Sequence, residues 1–337
     1  MTSNKIQKKP MKKLTISTLL VCALSFFAHA SIEQGITAFE NGNLALAKKI
    51  FSQESDTRYQ KHLYLALISS ENNKLDDAEE YINEAIELNA NNANVQFSYA
   101  EIMAKQAEAA SVFSLLSYIK KVKKAFTAAV NLAPENIEYR SALIQFHINA
   151  PSMLGGDINE ALRHAQDLKK LNALLGTSAE LQVYGAMKDK QEFDDILNTA
   201  LLEFGDEPEL FYQLGLYHQK QEDYEQALFY LRKASNMPAS TDKQRNAKYS
   251  AVFQIARTSI LSGNNFDEGK KAITQYLNEA VISSSMPSTD WAKFRLANIV
   301  EAQGEKLKAI QLYKGLAQDS AEIELQKQVK QRIKKLS

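Results

Sequence analysis

The chain has 337 residues, of which 45% are hydrophobic and 24% are charged, and this balance excludes a disordered polypeptide. Its 12 glycines and 6 prolines are few for this length, which favours a helical protein. Its 40 basic and 40 acidic residues cancel, so the composition provides no excess of positive charge for binding a nucleic acid.

Residues 1–30 predict an export signal. Lysines precede an apolar run from Leu14 to Phe27, and Ala28-His29-Ala30 then places small residues around a cleavage site. This order is typical of a signal peptide, so we expect cleavage after Ala30 and a periplasmic protein. The apolar run is shorter than the roughly 20 residues of a membrane span. A retained segment that tethers a scaffold to the membrane is the alternative.

Removal of this segment changes both charge and thiol content. The segment carries five lysines and no acidic residue, which leaves 35 basic against 40 acidic residues (40 − 5 and 40 − 0). The only cysteine, Cys22, lies within it, and Val21 before that cysteine disfavours lipidation. We therefore expect a mildly acidic mature protein without disulfides, without an integral membrane span and without a nucleic-acid partner.

A pattern of about 34 residues recurs from residue 31 to residue 318, in about seven or eight units. Each unit places small residues at two points and a bulky residue between them. The clearest unit, residues 210–238, carries the pattern at Leu214, Gly215, Ala227, Leu231 and Ala234.

This pattern resembles the tetratricopeptide repeat, a helix-turn-helix unit. The resemblance implies an all-α, right-handed superhelical solenoid in which small residues let helices approach and large ones fill the gaps. We therefore assign Phe51, Phe126, Leu231 and Tyr313 to the core. Residues 319–337 predict one amphipathic helix that caps the solenoid at its C-terminal end.

Two segments depart from the repeat. Residues 104–130 are too long for a standard unit, which predicts longer helices or an extra turn around Ser111 to Ser117. Four of the five residues 120–124 are lysines, and we expect Val122 to point inward. A solvated helix face explains such a cluster, and a site for an acidic partner or an anionic lipid is the alternative.

The second departure is an insert at residues 147–157. Pro151 predicts that the preceding helix ends near Asn149, and Gly155 and Gly156 predict a sharp turn. Asp157 and Glu160 fit a capping box at the start of the next helix. The glycines lack the Lys-Ser/Thr of a phosphate-binding loop, so we do not expect anion binding there.

The tip of this insert carries Met153 and Leu154. An exposed loop on a regular scaffold is a place for an added contact. One interpretation is a partner or self-association contact through these two side chains. The other is that the loop tucks across the neighbouring repeat.

No motif for chemistry stands out. The four histidines beyond residue 30 (His62, His147, His164 and His218) lack the spacing of metal ligands, and no nucleophile motif is present. We expect no catalytic residue, no metal and no cofactor, and a protein that is not an enzyme. The alternative is an enzyme, or an enzyme accessory, with a site near residues 147–164, where His147 and His164 could meet.

The resemblance implies a concave groove that holds a protein segment. One subtype of the family clamps a carboxylate with Lys and Asn, but the matching positions here are Ile32 and Ile36, so that clamp is absent. The residues that we expect to face the groove in the clearest unit are Tyr212, Leu216, Gln219 and Lys220. These features predict a scaffold or adaptor of the cell envelope, and they leave its partner and its oligomeric state open.

Overall fold

The computed structural model describes residues 32–53, 58–283, 285–320 and 322–336. Within these ranges the secondary structure consists of α-helices and one 3-10 turn, without strands, which confirms the all-α class. The export segment predicted at residues 1–30 lies outside the described residues. None of the described helices is long and apolar enough to cross a membrane.

The described residues divide into two compact units, the first within residues 32–70 and 74–90 and the second within residues 71–73 and 91–336. The first unit contains α1 (32–40), α2 (Leu44–Gln53), α3 (Tyr59–Glu71) and α4 (Leu75–Asn89). Its core closes around Phe51, which is fully buried, and a Cβ atom on Gly35 would lie 2.7 Å from that ring. A glycine on the first helix therefore makes room for an aromatic ring on the second.

The second unit contains the remaining helices. They are α5 (Ala93–Ala109), α6 (Val112–Leu132), α7 (Ile137–Asn149), α8 (Ile158–Leu171), α9 (Ala173–Met187), α10 (Lys190–Phe204), α11 (Pro208–Lys220), α12 (Tyr224–Asn236), α13 (Asp242–Ser262), α14 (Phe266–Glu279), α15 (Thr289–Ala302), α16 (Lys306–Asp319) and α17 (Ile323–Leu336). From α5/α6 to α15/α16, each successive pair packs as a hairpin. The first helices of neighbouring hairpins also touch, in the order α7, α9, α11, α13 and α15.

The hairpin α11/α12 shows why the repeat pattern specifies this packing. A Cβ atom on Gly215 would lie 2.6 Å from the Leu231 side chain, so only glycine fits at that crossing. Ala227 and Ala234 on α12 are fully buried, as is Leu231 between them. The small residues thus bring the two helices close together, and the bulky residue fills the space that remains.

The longer helices predicted for residues 104–130 are present, since α5 has 17 residues and α6 has 21. The side chains of Phe126 and Val122 on α6 are buried, and so is Tyr313 on α16. At the C-terminal end α17 packs on α15 and α16, and it inserts Leu325 and Val329 into their core. The predicted terminal helix is therefore in place.

Candidate functional site

A cavity of about 270 Å³ lies between α7, α9 and α11. A neighbouring depression of about 150 Å³ shares part of its lining and continues it along the same three helices. We call the two together the glutamine groove. Its main lining residues are Gln145, Gln182, Gln213, Leu216, Tyr217 and Lys220.

The polar part of the glutamine groove is a row of primary amides. Gln145 belongs to α7, Gln182 to α9 and Gln213 to α11, and all three side chains are half-buried. The Gln145 amide donates a 2.7 Å hydrogen bond to the Gln182 carbonyl. Each primary amide has two donors and one acceptor oxygen, so this bond leaves donors and acceptors available to a ligand.

The apolar part of the groove comes from Leu216 and from the ring of Tyr217. A Cβ atom at Gly185 of α9 would lie 2.2 Å from the Tyr217 hydroxyl oxygen, so this glycine allows the ring to cross α9. The Phe193 ring lies 5.2 Å from that of Tyr217, centroid to centroid, and supports it. Burial raises the pKa of Tyr217, which keeps its hydroxyl protonated and able to donate.

Of the four residues predicted to face the groove, Leu216 and Lys220 line the cavity. The Lys220 side chain is exposed and its ammonium group donates to the Asn149 side chain. The other two, Tyr212 and Gln219, point towards α13 instead. The observed face of α11 is therefore turned by about one residue from the predicted face.

The prediction for Gln219 is wrong, because its side chain is only 6% exposed and forms its hydrogen bonds inside the protein. Its amide donates to the Thr258 hydroxyl at 2.8 Å and to the Gln254 carbonyl at 3.2 Å. The Arg257 guanidinium donates to the Gln219 carbonyl. These bonds fasten α11 to α13, so Gln219 positions helices and is not open to a partner.

The Tyr212 side chain likewise makes its contacts within the protein. Its ring packs against the core of α11 to α14, and burial raises the pKa of its hydroxyl. The place that we expected for Tyr212 is taken by Gln213, one residue later.

Beyond the cavity, the first helices carry guanidinium groups. Arg295 on α15 is half-buried, and burial, together with the nearby Arg257 and Arg332, lowers its pKa to about 10. It remains charged at neutral pH. The hydrogen bonds of Arg257 and Arg295 go to Gln219 and Asn298, which are neutral amides. These two cations are thus not neutralised by a hydrogen-bonded carboxylate among the described residues.

The insert forms a compact turn. α7 ends at Asn149, as Pro151 predicts, and a 3-10 turn follows at Ser152–Leu154. Gly155 has a φ of +94°, and a Cβ atom at Gly156 would lie 1.7 Å from the carbonyl oxygen of Ala150. Both glycines are therefore required by the backbone of this turn.

The contacts of the insert support each of its two interpretations, the exposed contact and the loop tucked against the neighbouring repeat. The Lys123 ammonium group on α6 donates a 2.9 Å hydrogen bond to the Gly155 carbonyl, which ties the turn to the neighbouring hairpin. Leu154 is half-buried, whereas Met153 is 84% exposed. Only Met153 is therefore fully presented to solvent.

Asp157 caps α8, and its carboxylate accepts from the backbone N–H groups of Asn159 at 3.0 Å and Glu160 at 3.3 Å. The Glu160 carboxylate is engaged elsewhere, since it accepts a 2.6 Å hydrogen bond from Arg163 that lowers its pKa. The cap at Asp157 is present, but the expected role of Glu160 in a capping box is taken over by this ion pair.

His147 and His164 do meet, with ring centroids 6.3 Å apart. They are only 4% and 7% exposed, so a substrate cannot reach them in this conformation. Guanidinium nitrogens of Arg140 and Arg163 lie 3.2 Å and 3.0 Å from the two ring nitrogens of His164. Burial and these two cations lower the pKa of His164 to about 4, far from the value that suits proton transfer at neutral pH.

The described residues hold no group of three or more His, Cys, Asp or Glu side chains with the geometry of a metal site. The functional residues that sequence reasoning missed are Gln145, Gln182 and Gln213. A partial signal exists, because Gln145 and Gln182 fall within one residue of each other when α7 and α9 are aligned by their first residues, whereas Gln213 lies about one helical turn earlier in α11.

A family model described as tetratricopeptide repeat matches residues 64–92 and 208–240. Among solved structures, a tetratricopeptide repeat protein from Parabacteroides merdae ATCC 43184 is 11% identical over 81% of this chain and 98% of its own, with a TM-score of 0.49. Human IFIT1 dimers with PPP-AAAA and m7Gppp-AAAA are each 15% identical over 90% of this chain and 72% and 71% of theirs, with TM-scores of 0.44 and 0.45. No protein of curated function matches the sequence.

Proposed function

Because the chain carries tetratricopeptide repeats, we propose that it is a non-enzymatic scaffold that binds an extended segment of a partner protein in the glutamine groove. The observation that carries this proposal is the row of amides at Gln145, Gln182 and Gln213 on three successive first helices. A side-chain amide both donates and accepts, as a peptide group does, so it can pair with the backbone of a ligand.

The spacing of the row suits an extended chain. Packed helices lie about 8–10 Å apart, and an extended peptide advances about 3.3 Å per residue. The Gln145 and Gln182 amides, which are hydrogen-bonded to each other, would therefore meet the ligand backbone at one place, and Gln213 on the next first helix would meet it about three residues further along. Contacts of this kind depend little on the ligand sequence, and the apolar surface of Leu216 and Tyr217 adds a place for one apolar side chain.

Charge adds a preference for an acidic ligand. Lys220 stands at the edge of the groove, and Arg257 and Arg295 follow on the next two first helices. The hydrogen bonds of all three go to neutral amides, which leaves their positive charge available for attraction. An acidic side chain in the bound segment would gain from this field.

The proposal includes an exported protein, released from its signal segment after Ala30. The support is the order of lysines, apolar run and small residues at the start of the sequence. The N-terminal residue of the protein purified from its own cell envelope tests this part. Ser31 at the N-terminus supports cleavage, and an earlier residue supports the tethered scaffold.

The groove is tested by photo-crosslinking in the cell from a benzoylphenylalanine placed at Leu216, with Leu202 as a matched control. Leu202 is an 88% exposed leucine on α10, and it is not part of the groove lining. A discrete partner captured from Leu216 but not from Leu202 supports the proposal. Its purified form should then bind the wild type more tightly than a variant with Gln182→Ala and Gln213→Ala.

A third crosslinking position, Met153, separates the groove from the insert. Capture from Met153 alone would move the partner site to the insert and contradict the groove. Equal capture from all three positions would show nonspecific contact, and it would also contradict the proposal.

A further inference from the structure

The end of the α5/α6 hairpin projects beyond its neighbour. α6 has 21 residues and α7 has 13, and the two are joined by a short turn at the other end. The hydrogen bond from Lys123 to Gly155 shows how far along α6 the turn between α7 and α8 reaches. Phe113 lies ten residues before Lys123, about 15 Å further along α6 at 1.5 Å per residue.

This projecting end, which we call the apolar tip, consists of Val112, Phe113 and Leu116. Their exposed fractions are 85%, 98% and 41%, so three large apolar side chains face solvent at one place. Leaving such side chains in water is unfavourable relative to burying them in an apolar phase. Their exposure indicates a surface that another apolar phase covers.

Lysines lie directly behind the apolar tip. Lys120 and Lys124 follow Phe113 by seven and eleven residues, which is two and three helical turns, so all three share one face of α6. Both lysines are exposed, and neither forms a hydrogen bond or an ion pair with another described residue. Between residues 102 and 134 the sequence has five lysines and a single acidic residue, Glu108.

We propose that the apolar tip and the lysines behind it form a docking site for an anionic lipid bilayer, separate from the glutamine groove. Interfacial protein segments bury apolar side chains about 5–10 Å deep at the boundary of headgroups and acyl chains. Lys120 lies about 10 Å behind Phe113 along the helix, at 1.5 Å per residue. With Phe113 among the acyl chains, Lys120 lies at the level of the phosphates, and Lys124, about 16 Å behind Phe113, lies at the outer edge of the headgroups, where the negative surface potential still acts on it.

The shape of the tip distinguishes a bilayer from a protein partner. A stable protein interface buries about 800 Å² on each side. A convex end with three apolar side chains offers much less area than that. A bilayer accepts a convex apolar end, and its anionic headgroups surround the lysines on all sides.

The test uses the full chain with Phe113→Trp and, as a matched control, Leu202→Trp, whose leucine is also highly exposed but lies on α10. Each is mixed with vesicles of phosphatidylglycerol and phosphatidylcholine in equal parts, with or without brominated acyl chains, and the signal of the only native tryptophan, Trp291, is subtracted. Vesicle binding by the apolar run at residues 14–27 would act on both variants alike, so the comparison of positions 113 and 202 separates it from docking by the tip. A blue shift and bromine quenching at position 113 alone support the proposal. No quenching at position 113, or equal quenching at both positions, overturns it.

The charge requirement is tested in the Phe113→Trp protein with Lys120→Gln and Lys124→Gln together, beside Lys120→Arg and Lys124→Arg. Each lysine near an anionic surface contributes about fivefold in affinity, so the neutral pair should lower the vesicle affinity by about 25-fold, and the arginine pair should keep it. The affinity is measured through the fluorescence of the tryptophan introduced at position 113. Equal binding to pure phosphatidylcholine overturns the proposal.

An acidic protein is the competing occupant of the lysines. The proposal is overturned if polyglutamate binds through the lysines while the introduced tryptophan of Phe113→Trp remains unquenched by brominated vesicles, since that result assigns the site to an acidic protein. The groove variant Gln182→Ala should leave the quenching unchanged, because the two sites are separate.

Discussion

The second unit carries two surfaces of opposite character. The glutamine groove is concave, and half-buried amides are held in place by neighbouring first helices. The apolar tip is convex, and Phe113 is almost fully exposed at the end of a single hairpin. The first surface can recognise a polypeptide backbone, because its polar groups have fixed spacing. The second suits a soft phase, because its apolar side chains stand in solvent without neighbouring described residues that would fix the position of a partner group.

The difference also shows how repeats acquire function. The groove exists only because α7, α9 and α11 each contribute one glutamine, so it is a property of three units. The tip exists because one unit is longer than its neighbours. A change in the stacking of the units should therefore damage the groove and spare the tip.

The largest expected effect follows from Gly215→Val in the packing beneath the groove. Its Cβ would overlap the Leu231 side chain, which lies 2.6 Å away, so we expect a loss of about 3 kcal/mol or more in the free energy of unfolding. Urea denaturation followed by circular dichroism measures the loss. Gly315→Ala is the matched control, since no atom lies within 4 Å of its added Cβ, and it should stabilise by about 0.5–1 kcal/mol. An unchanged midpoint in Gly215→Val would contradict the close crossing of α11 and α12.

The next effect concerns ligand binding alone. Gln182→Ala with Gln213→Ala removes about two hydrogen bonds worth about 1 kcal/mol each, so the affinity for a groove ligand should fall about 30-fold. Titration calorimetry with a peptide from the captured partner measures it. Gln275→Ala, which changes a half-buried glutamine on α14 outside the groove lining, is the control and should have no effect on affinity. If the double variant binds as well as this control, the amides do not contact the ligand.

A smaller effect depends on pH. His164 has its pKa lowered from 6.5 to about 4 in the folded protein, so between these values only the unfolded chain takes up its proton. Stability is therefore fully present above pH 6.5 and should fall by about 1–2 kcal/mol as the pH drops towards 4. His147, whose pKa is also lowered, adds to this slope, while Glu160 and Asp167, whose pKa values are lowered from 4.5 and 3.8, begin to contribute at its acidic end.

Urea denaturation as a function of pH measures this slope. His164→Gln should flatten it, because glutamine fills part of the space and does not titrate. A slope that is the same in the variant and in the wild type would show that other groups carry it.

The smallest effect separates the insert from the tip. Lys123→Met keeps the aliphatic packing and removes the hydrogen bond to Gly155, so it should cost about 1 kcal/mol. Amide hydrogen exchange should become faster in the turn at residues 152–156 and remain unchanged in α9. Combined with Phe113→Trp, it should retain vesicle quenching, because Lys120 and Lys124 remain. Loss of quenching would show that the insert supports the tip.

Sequence reasoning succeeded where a feature depends on neighbours along the chain. The Asp157 cap, the helix end at Asn149 and the crossing of Gly215 with Leu231 each involve residues of one hairpin or of one turn. It was less accurate for the groove, where Tyr212 was expected and Gln213 is found. A shift of one residue turns a helix by about 100°, so a small error in the helix phase selects another face.

The all-α class, the helical hairpins and their small and bulky contact residues follow from the sequence by itself, because a short-range pattern decides which side of each helix is buried. The tertiary structure alone decided which polar residues remain open. Gln213 and Gln219 are of the same residue type on the same helix, yet one lines the groove and the other is buried against Thr258. Their difference arises from the neighbouring hairpins. A first helix packs against the first helices on both sides of it, so a ligand can reach only the side chains that point into the groove between them.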